Sequence, residues 1–480
     1  MNIVDCIRAE TRPFSDRTAI VDGNRSITYA RLLEDIQTCQ ARFAELGIGP
    51  GRRIAFRCRD GIDYVVGALG LLAAGAAAVP VADSLTETEI HDTLDRIDVH
   101  GLLTHHDLVP PAGGIPSDSP GNLLVWRPRR ATGELDQACR DIGAAFIRFS
   151  SGTTGVSKGV VLSHRTILER TDAADRGLKM SHRDVVLWTL EMSHHFVVSI
   201  LLFLRRAATI VVANQRFPFS FIEAAAGVPV TFIYASPLHY YLLASTDAVS
   251  PVSLARVRLA ISTAMKMPGE ISEAFAGKFG FAPVEAYGII EIGLPFIHLD
   301  ASAAGVGTVG RILPDYELRI DEPDAAGVGE VCIRGKGMFD AYFSPWCLRD
   351  QCLCDGWFPT GDLGRLDEHR RLQLTGRCKT VIVCAGMKIF PEEVEEVINT
   401  MPGVAQSLVY GREHPQFGQV PAAWVMLAGP MNDRELWSME IRRYCCDKLS
   451  SYKVPVEIQL VDSLPETPSG KILRHGLRTS

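Results

Sequence analysis

Residues 148–164 of this chain read RFSSGTTGVSKGVVLSH, and this stretch decides the fold around it. The apolar run Ala145–Phe149 predicts a strand, and Gly159–Leu162 predicts a second strand. Glycines between two strands let several backbone N–H groups point at one anion, hydroxyl groups add donors, and a lysine adds a positive charge. The loop is therefore predicted to bind phosphate rather than to be a plain polar hairpin. Its predicted phosphate-binding residues are Ser151, Gly152, Thr153, Thr154, Gly155 and Lys158.

This loop differs from the phosphate loop of kinases and GTPases. That loop has a Lys-Ser or Lys-Thr pair that opens directly into a helix. Here Lys158 is followed by Gly159 and then by a strand pattern. An unrelated kinase of that class is therefore disfavoured.

Helical patterns alternate with short strand patterns from Ile27 to about Ala260. This alternation predicts an α/β fold of parallel sheets flanked by helices. The predicted strands include Arg53–Phe56, Ala77–Val81, Gly101–Thr104, Thr209–Val212 and Val230–Ile233.

The pattern changes to strands separated by Gly, Pro and Asp turns between about residues 305 and 375, which predicts a β-rich subdomain. A further strand at Thr380–Cys384 precedes a helix that begins near Pro391 with several glutamates in its first turns. We therefore predict a large N-terminal domain over residues 1–377 and a small, mobile α+β domain over residues 380–480.

Composition favours small-molecule chemistry. The 480 residues are 47% hydrophobic, and the net charge of -7 with a pI near 6.0 argues against a nucleic-acid-binding surface. Charged residues through the first twenty positions argue against a secretory signal, so a cytoplasmic protein is expected. The apolar stretches Tyr64–Ala82 and Val197–Val212 are each interpreted as a core helix followed by a strand, not as a membrane span.

Twelve cysteines occur in the chain, and we interpret them as buried, reduced thiols. Cys352 with Cys354, and Cys445 with Cys446, lack the spacing of common zinc knuckles. A zinc site or a disulfide framework built from these cysteines is therefore not predicted.

Four further motifs follow the phosphate loop in order: YGIIE at 287–291, FPTGD at 358–362, GRCKTVIVCAGMKIFPEEVE at 376–395 and PETPSGKILR at 465–474. With the loop, they make the chain similar to the superfamily of adenylate-forming enzymes, which includes acyl-CoA synthetases, luciferases and the adenylation domains of peptide synthetases. The resemblance spans nearly the whole chain. It implies that ATP activates a carboxylic acid as acyl-AMP with release of pyrophosphate, and that the acyl group then passes to a thiol.

The resemblance also implies the roles of individual residues. Lys471 would be the lysine that promotes adenylation, in concert with Lys158, and Glu291 would hold Mg2+ through a carboxylate oxygen. Asp362 and Arg377 would bind the ribose. In the YGIIE motif, Tyr287 would lie beside the adenine, and Gly288 would be a further nucleotide contact. Lys379 falls at the hinge about which the small domain would rotate between the two half-reactions.

The stretch LEMSHHFVVS at 190–199 lies at the position in the chain that, in members of this superfamily, frames the pocket for the acid. Peptide-synthetase domains place an Asp here for an α-ammonium group, and its absence disfavours an amino acid, although Glu191 leaves that question open. His194 and His195 are assigned to the substrate pocket, with Thr263 on the opposite wall. Bulky residues near Thr263 favour a small aromatic or short aliphatic acid.

Two alternatives stay open at this level. The acceptor is expected to be coenzyme A, or else the phosphopantetheine arm of a carrier protein on a separate polypeptide. A catalytically weak nucleotide-binding relative is the other alternative, because Ile290 stands where the family usually has Thr.

Overall fold

The structure is a computed structural model and describes residues 1–83, 85–105, 124–150, 158–299, 307–377, 381–429 and 434–464. It divides into two compact units. The larger contains the described residues of 1–83, 94–150 and 158–376, and the smaller contains those of 85–93 and those from 377 onward.

The described residues form 26 strands. In chain order they are β1 Thr18–Asp22, β2 Arg25–Thr28, β3 Arg53–Arg57, β4 Ala77–Pro80, β5 Gly101–His105, β6 Leu124–Pro128, β7 Ala144–Ser150, β8 Lys158–Ser163, β9 Val185–Trp188, β10 Thr209–Val212, β11 Phe232–Ala235, β12 Leu259–Ser262, β13 Val284–Ile289, β14 Gly293–Ile297, β15 Arg311–Ile312, β16 Tyr316–Asp321, β17 Gly329–Gly335, β18 Ala341–Phe343, β19 Cys347–Leu348, β20 Phe358–Leu366, β21 Leu372–Arg377, β22 Ile382–Cys384, β23 Met387–Ile389, β24 Val404–His414, β25 Gly418–Leu427 and β26 Glu457–Leu460.

The same residues form fourteen α-helices. They are α1 Ile3–Thr11, α2 Tyr29–Glu45, α3 Ile62–Ala73, α4 Glu87–Arg96, α5 Asp136–Ile142, α6 His164–Leu178, α7 Met192–His195, α8 Leu201–Arg205, α9 Phe219–Gly227, α10 Pro237–Ser245, α11 Gly269–Phe279, α12 Arg349–Cys352, α13 Pro391–Asn399 and α14 Arg434–Cys446. A π-helical turn, Phe196–Ile200, joins α7 to α8.

Two large sheets build the larger unit. One has nine strands in the order β15-β14-β13-β12-β11-β9-β10-β1-β2, and the other has eight in the order β19-β18-β8-β7-β4-β3-β5-β6. The predicted α/β class is confirmed, and the inner strands from β13 to β1 and from β7 to β5 pair in parallel. The outer strands pair antiparallel: β2 with β1, β14 with β13, β8 with β7, β18 with β8 and β6 with β5. The connections from β1 to β2, from β7 to β8 and from β13 to β14 are too short for a helical crossover.

The phosphate loop lies between strands of the eight-stranded sheet, as the sequence predicts. β7 and β8 pair antiparallel, with Ile147 opposite Val161 and Ser150 opposite Lys158. Loop residues 151–157, which include the predicted phosphate-binding residues Ser151, Gly152, Thr153, Thr154 and Gly155, lie outside the described residues.

The stretch predicted to be β-rich contributes to two sheets. Strands β16, β17, β20 and β21 form a four-stranded sheet. The short strands β18 and β19 lie between β17 and β20 in sequence, but they join the eight-stranded sheet, where Tyr342 pairs with Val160. This excursion brings β18 next to β8, the strand that begins at Lys158.

Both apolar stretches fold as core elements. Helix α3 ends before Gly75, whose positive φ of 78° suits a residue without a side chain, and β4 follows at once. The second stretch forms the π turn, α8 and β10, and Arg205 at the end of α8 is paired with Glu10 at 2.7 Å. Among the helices of the described residues, none is long and apolar enough to cross a membrane.

The smaller unit is α+β. Strands β23, β22, β25 and β24 form a sheet in that order, and β26 pairs in parallel with β25. Pro391 is the first residue of α13, where its missing N–H costs nothing. Apolar residues of α13 and α14, including Val394, Ile398 and Ile441, pack on the sheet and form the core of this unit.

The cysteine interpretation is correct in part. All eleven cysteines of the described residues are free thiols, and five of them are buried. Cys354 and Cys446 are exposed, so the prediction of uniformly buried thiols is wrong for these two. Cys378 lies outside the described residues.

Candidate active site

Lys158 begins β8, and its ammonium group lies over an aromatic ring. Its Nζ atom lies 4.7 Å from the centroid of the Tyr342 ring, a cation–π distance. Tyr342 reaches this place because β18 pairs with β8. The lysine is thus oriented through an attraction that leaves its N–H groups available for hydrogen bonds.

The YGIIE motif forms the tight hairpin between β13 and β14. Gly288 has no room for a side chain, because a Cβ atom there would lie 2.2 Å from the carbonyl oxygen of Gly293. Glu291 follows in the turn and is buried, with 8% of its surface exposed. Its backbone carbonyl accepts a hydrogen bond of 2.7 Å from the N–H of Phe339, which fixes the turn against the chain leading into β18.

Arg170 clamps this hairpin, and sequence reasoning missed it. Its side chain is fully buried in α6. The guanidinium donates to the carbonyl oxygens of Ile290 at 3.0 Å and of Gly337 at 2.7 and 3.1 Å. These contacts place the carboxylate of the next residue, Glu291. Ile290 itself belongs to the hydrophobic core.

Tyr342 connects the two candidate catalytic residues. Its hydroxyl donates to Oε1 of Glu291 at 3.3 Å, while its ring lies below the ammonium of Lys158. Burial raises the pKa of the Tyr342 hydroxyl, and the neighbouring Glu291 carboxylate raises it further. The hydroxyl therefore remains a donor to Glu291 at neutral pH. No sequence signal identified Tyr342, because the contact depends on the excursion of β18.

Asp362 lies in β20 with only 4% of its surface exposed. Its Oδ2 atom accepts a hydrogen bond of 2.5 Å from the hydroxyl of Tyr287. Its backbone N–H donates to Oγ1 of Thr360 at 3.2 Å. The structure thus brings together Tyr287 and Asp362, the residues predicted for adenine and ribose, although they are far apart in sequence.

Three predicted residues are not placed with their side chains. Arg377 is the last residue of β21, and its side chain is not described. Lys379 and Lys471 lie outside the described residues. The roles that the sequence assigns to them stay predictions.

The stretch 190–199, which is predicted to frame the acid, follows β9 and forms α7 and most of the π turn. The ring of His194 lies with Nδ1 2.9 Å from a carboxylate oxygen of Glu191 and 3.0 Å from the hydroxyl of Ser193. The carboxylate of Glu191 thus faces a histidine of the helix that Glu191 precedes. The π turn that follows is a feature often found at functional sites.

His195 and Thr263 belong to one aromatic cluster. The His195 ring packs edge-on against Trp188 and Tyr234, at 6.0 and 6.2 Å between centroids. Trp188 and Tyr234 stack on each other at 5.7 Å. Thr263 is buried and its side chain hydrogen-bonds to Tyr234. The structure therefore joins the stretch 190–199 and Thr263, which the sequence predicts on opposite walls of the pocket, through Tyr234.

Two ionisable side chains that the sequence reasoning missed hold α7 in place. Asp60 accepts a hydrogen bond of 3.0 Å from the N–H of Met192, and burial raises the pKa of Asp60 to about 7. Arg148 donates to the carbonyl oxygen of His194, and burial lowers the pKa of Arg148 to about 10. Both residues therefore fix the backbone that carries the histidines.

The described residues suit a site for a nucleotide and an acid. Lys158 can neutralise phosphate, and the buried Glu291 carboxylate supplies the hard oxygen that Mg2+ prefers. The hydrogen bond from Tyr342 orients that carboxylate, as hydrogen bonds to metal-binding side chains generally do. Asp362 offers a carboxylate in the same unit.

Comparison with known families decides the identity. The AMP-binding enzyme family matches residues 7–343, and its C-terminal domain, described as AMP-binding enzyme C-terminal domain, matches residues 393–471. The chain belongs to the AMP-binding enzyme family. The prediction of an adenylate-forming enzyme, made from the five motifs, is thereby confirmed.

Individual AMP-binding enzymes are similar to the chain over nearly its whole length. The 2-succinylbenzoate–CoA ligase of Bacillus cereus is 28% identical, over 96% of this chain and 95% of the relative. The 4-coumarate–CoA ligase 1 of Narcissus pseudonarcissus is 26% identical, over 97% of this chain and 91% of the relative. Both relatives are named CoA ligases, which agrees with the predicted class of acid–thiol ligase.

A solved structure agrees on the fold. The amide bond synthetase McbA of Marinactinospora thermotolerans superposes with a TM-score of 0.77. Its sequence is 24% identical, and the match covers 98% of both chains. The chain therefore shares its fold with that synthetase.

Proposed function

We propose that this AMP-binding enzyme activates a small carboxylic acid with ATP and transfers the acyl group to the thiol of coenzyme A. The observation that carries the proposal is the arrangement of Lys158, Tyr342 and Glu291 in one contact chain. Through Tyr342, this arrangement connects a lysine that can bind phosphate with a carboxylate that can bind Mg2+. The chain that contains it is an AMP-binding enzyme.

The first half-reaction joins two anions. A carboxylate oxygen of the acid attacks the α-phosphorus of ATP, and pyrophosphate leaves with the bonding electrons. Lys158, the loop residues 151–155 and Lys471 would stabilise the negative charge that moves onto the phosphate oxygens. Mg2+ held by Glu291 would add positive charge to the same phosphates. Asp362 and Arg377 would bind the ribose, and Tyr287 with Gly288 would border the adenine.

The second half-reaction requires a thiol at the acyl carbon. The thiolate sulfur attacks that carbon, a thioester forms, and AMP leaves with the oxygen that came from the acid. We propose that Lys379 is the hinge about which the C-terminal unit turns, so that Lys471 leaves the site before the thiol enters. A carrier-protein phosphopantetheine arm is the alternative acceptor, with the same chemistry.

A small aromatic or short aliphatic acid without an α-amino group is the proposed substrate. Glu191, the only carboxylate within the stretch 190–199, already faces His194 at 2.9 Å. The wall beside it is aromatic and consists of His195, Trp188 and Tyr234. Aromatic acids also give their names to the two similar ligases, which supports this class.

Exchange of labelled pyrophosphate into ATP tests the proposal. We expect exchange with small aromatic or short aliphatic acids, and none above background with the twenty amino acids. The best acid should then give a thioester with coenzyme A. If an amino acid drives the fastest exchange, the proposed substrate class is wrong. If no acid drives exchange, the chain is a nucleotide-binding relative, as Ile290 in the YGIIE motif would suggest.

A further inference from the structure

Two thiols lie side by side next to the candidate active site. The Sγ atoms of Cys347, in β19, and Cys352, at the end of α12, are 2.9 Å apart. An S–S bond is about 2.05 Å long, so the sulfurs need to approach by only about 0.9 Å to bond. Both thiols also lie near one acceptor, the carbonyl oxygen of Leu348, at 3.7 and 3.5 Å. We propose that Cys347 and Cys352 are a modification site, which a peroxide converts to an intrachain disulfide that weakens nucleotide binding.

Both sulfurs are partly accessible. Cys347 and Cys352 are half-buried, whereas Cys39, Cys58 and Cys139 are buried in the core. A small oxidant can therefore reach the pair but not those core thiols. Within the described residues there is no group of three or more side chains that could hold a metal ion, although Cys354 is close in sequence. Oxidation, rather than metal binding, is thus the chemistry that the pair supports.

The chemistry balances with one peroxide. Burial and the neighbouring Cys347 thiol raise the pKa of the Cys352 thiol to about 12, so Cys352 stays protonated at neutral pH. Cys347 gives up its thiol proton and its sulfur attacks one peroxide oxygen; the O–O bond breaks, the sulfur becomes a sulfenic acid, and the departing hydroxide takes the proton and leaves as water. The Cys352 sulfur then attacks the Cys347 sulfur, the S–O bond breaks, and the hydroxyl leaves with the Cys352 proton as a second water. Two thiols are oxidised and one hydrogen peroxide is reduced to two waters.

The pair is connected to the candidate site through one residue. Tyr342 is the cross-strand partner of Cys347 in the β18–β19 hairpin. The same tyrosine lies under Lys158 and donates to Glu291. The Lys158 charge also acts on Cys352, whose pKa it lowers against the larger effect of burial. Closing the disulfide displaces β19 or α12, and β18 with Tyr342 moves with its partner strand.

The expected consequence is a loss of nucleotide affinity. Lys158 and Glu291 are the proposed contacts to phosphate and to Mg2+, and both depend on the position of Tyr342. We expect the dissociation constant for MgATP to rise roughly three- to thirtyfold on oxidation, the range of couplings through packed contacts. Reduction with dithiothreitol should restore it. This effect depends on the proposed function, whereas formation of the disulfide does not.

The experiment treats the purified full-length chain with dilute hydrogen peroxide. Peptide mapping by mass spectrometry should find the Cys347 and Cys352 peptides joined, with the loss of two hydrogen atoms, and calorimetry should record the weaker binding of MgATP. Cys347→Ser and Cys352→Ser should bind MgATP equally well before and after peroxide. The matched control, Cys354→Ser, removes an exposed thiol nearby and should respond as the wild type does.

Three results would overturn the proposal. The first is peroxide oxidation of Cys354 or Cys446 without a bond between Cys347 and Cys352. The second is formation of that bond with unchanged affinity for MgATP. The third is loss of affinity in Cys347→Ser that equals the loss in the wild type. Mapping needs no bound substrate, so failure of the disulfide and failure of the proposed nucleotide site are distinguishable.

Discussion

Lys471→Ala is expected to abolish most formation of acyl-AMP while leaving the transfer to the thiol nearly intact. The ammonium of Lys471 is proposed to meet the acid and the α-phosphate only during adenylation, where charge moves onto the phosphate oxygens. Loss of one such donor typically costs about 100- to 1000-fold in rate. Pyrophosphate exchange measures the first half-reaction, and thioester formation from synthetic acyl-AMP and coenzyme A measures the second.

Arg478→Ala is the matched control for this prediction. It removes a cation seven positions further along the chain, outside the PETPSGKILR motif. Exchange should stay within about twofold of the wild-type rate, because the motif that contains the predicted adenylation lysine is unchanged. Equal loss of both half-reactions in Lys471→Ala would contradict the role assigned to this lysine.

Glu291→Gln has the second large expected effect. Gln keeps the size of the side chain and can still accept the hydrogen bond from Tyr342, but it lacks the charge that Mg2+ requires. We expect pyrophosphate exchange to fall roughly 100-fold at ordinary Mg2+ concentration. Raising the Mg2+ concentration should recover part of the loss, because a weakened site fills at higher concentration.

Tyr342→Phe separates the metal from the hydrogen bond. Phe keeps the ring beneath Lys158 but removes the hydroxyl that orients Glu291. The rate of pyrophosphate exchange should fall by about tenfold, the usual effect of removing a side chain that hydrogen-bonds to a metal ligand. An exchange rate in Glu291→Gln that equals the wild-type rate at every Mg2+ concentration would remove Glu291 from the site.

The sequence was sufficient for elements with a strong local pattern. The two strands around the phosphate loop appear as β7 and β8, since each is a mainly apolar run, which in β7 is interrupted only by Arg148. Gly75 ends α3 where the pattern requires a break. The strand predicted at Val230–Ile233 is instead β11, Phe232–Ala235, because pairing of Phe232 with Val186 and Leu259 fixes its register. The β propensity of Val230 and its neighbours carries no information about which strands pair.

Part of the candidate site depends on contacts that no local pattern encodes. Arg170 reaches Gly337, and Arg148 reaches the carbonyl of His194, across long separations in sequence. Tyr342 joins Lys158 and Glu291 only because β18 does not join the four-stranded sheet of its neighbours in sequence but pairs with β8. The motifs predicted the residues that would touch the substrates. The residues that position them follow from topology and became identifiable only in the structure.

The central claim is that an oxygen of the acid attacks the α-phosphorus of ATP. The most direct measurement supplies the best acid with both carboxylate oxygens enriched in the heavy isotope, together with ATP, Mg2+ and coenzyme A, and weighs the products by mass spectrometry. Attack at the α-phosphorus predicts that AMP carries one heavy oxygen and that pyrophosphate carries none. Formation of ADP with the heavy oxygen in inorganic phosphate would show attack at the γ-phosphorus and would contradict the account.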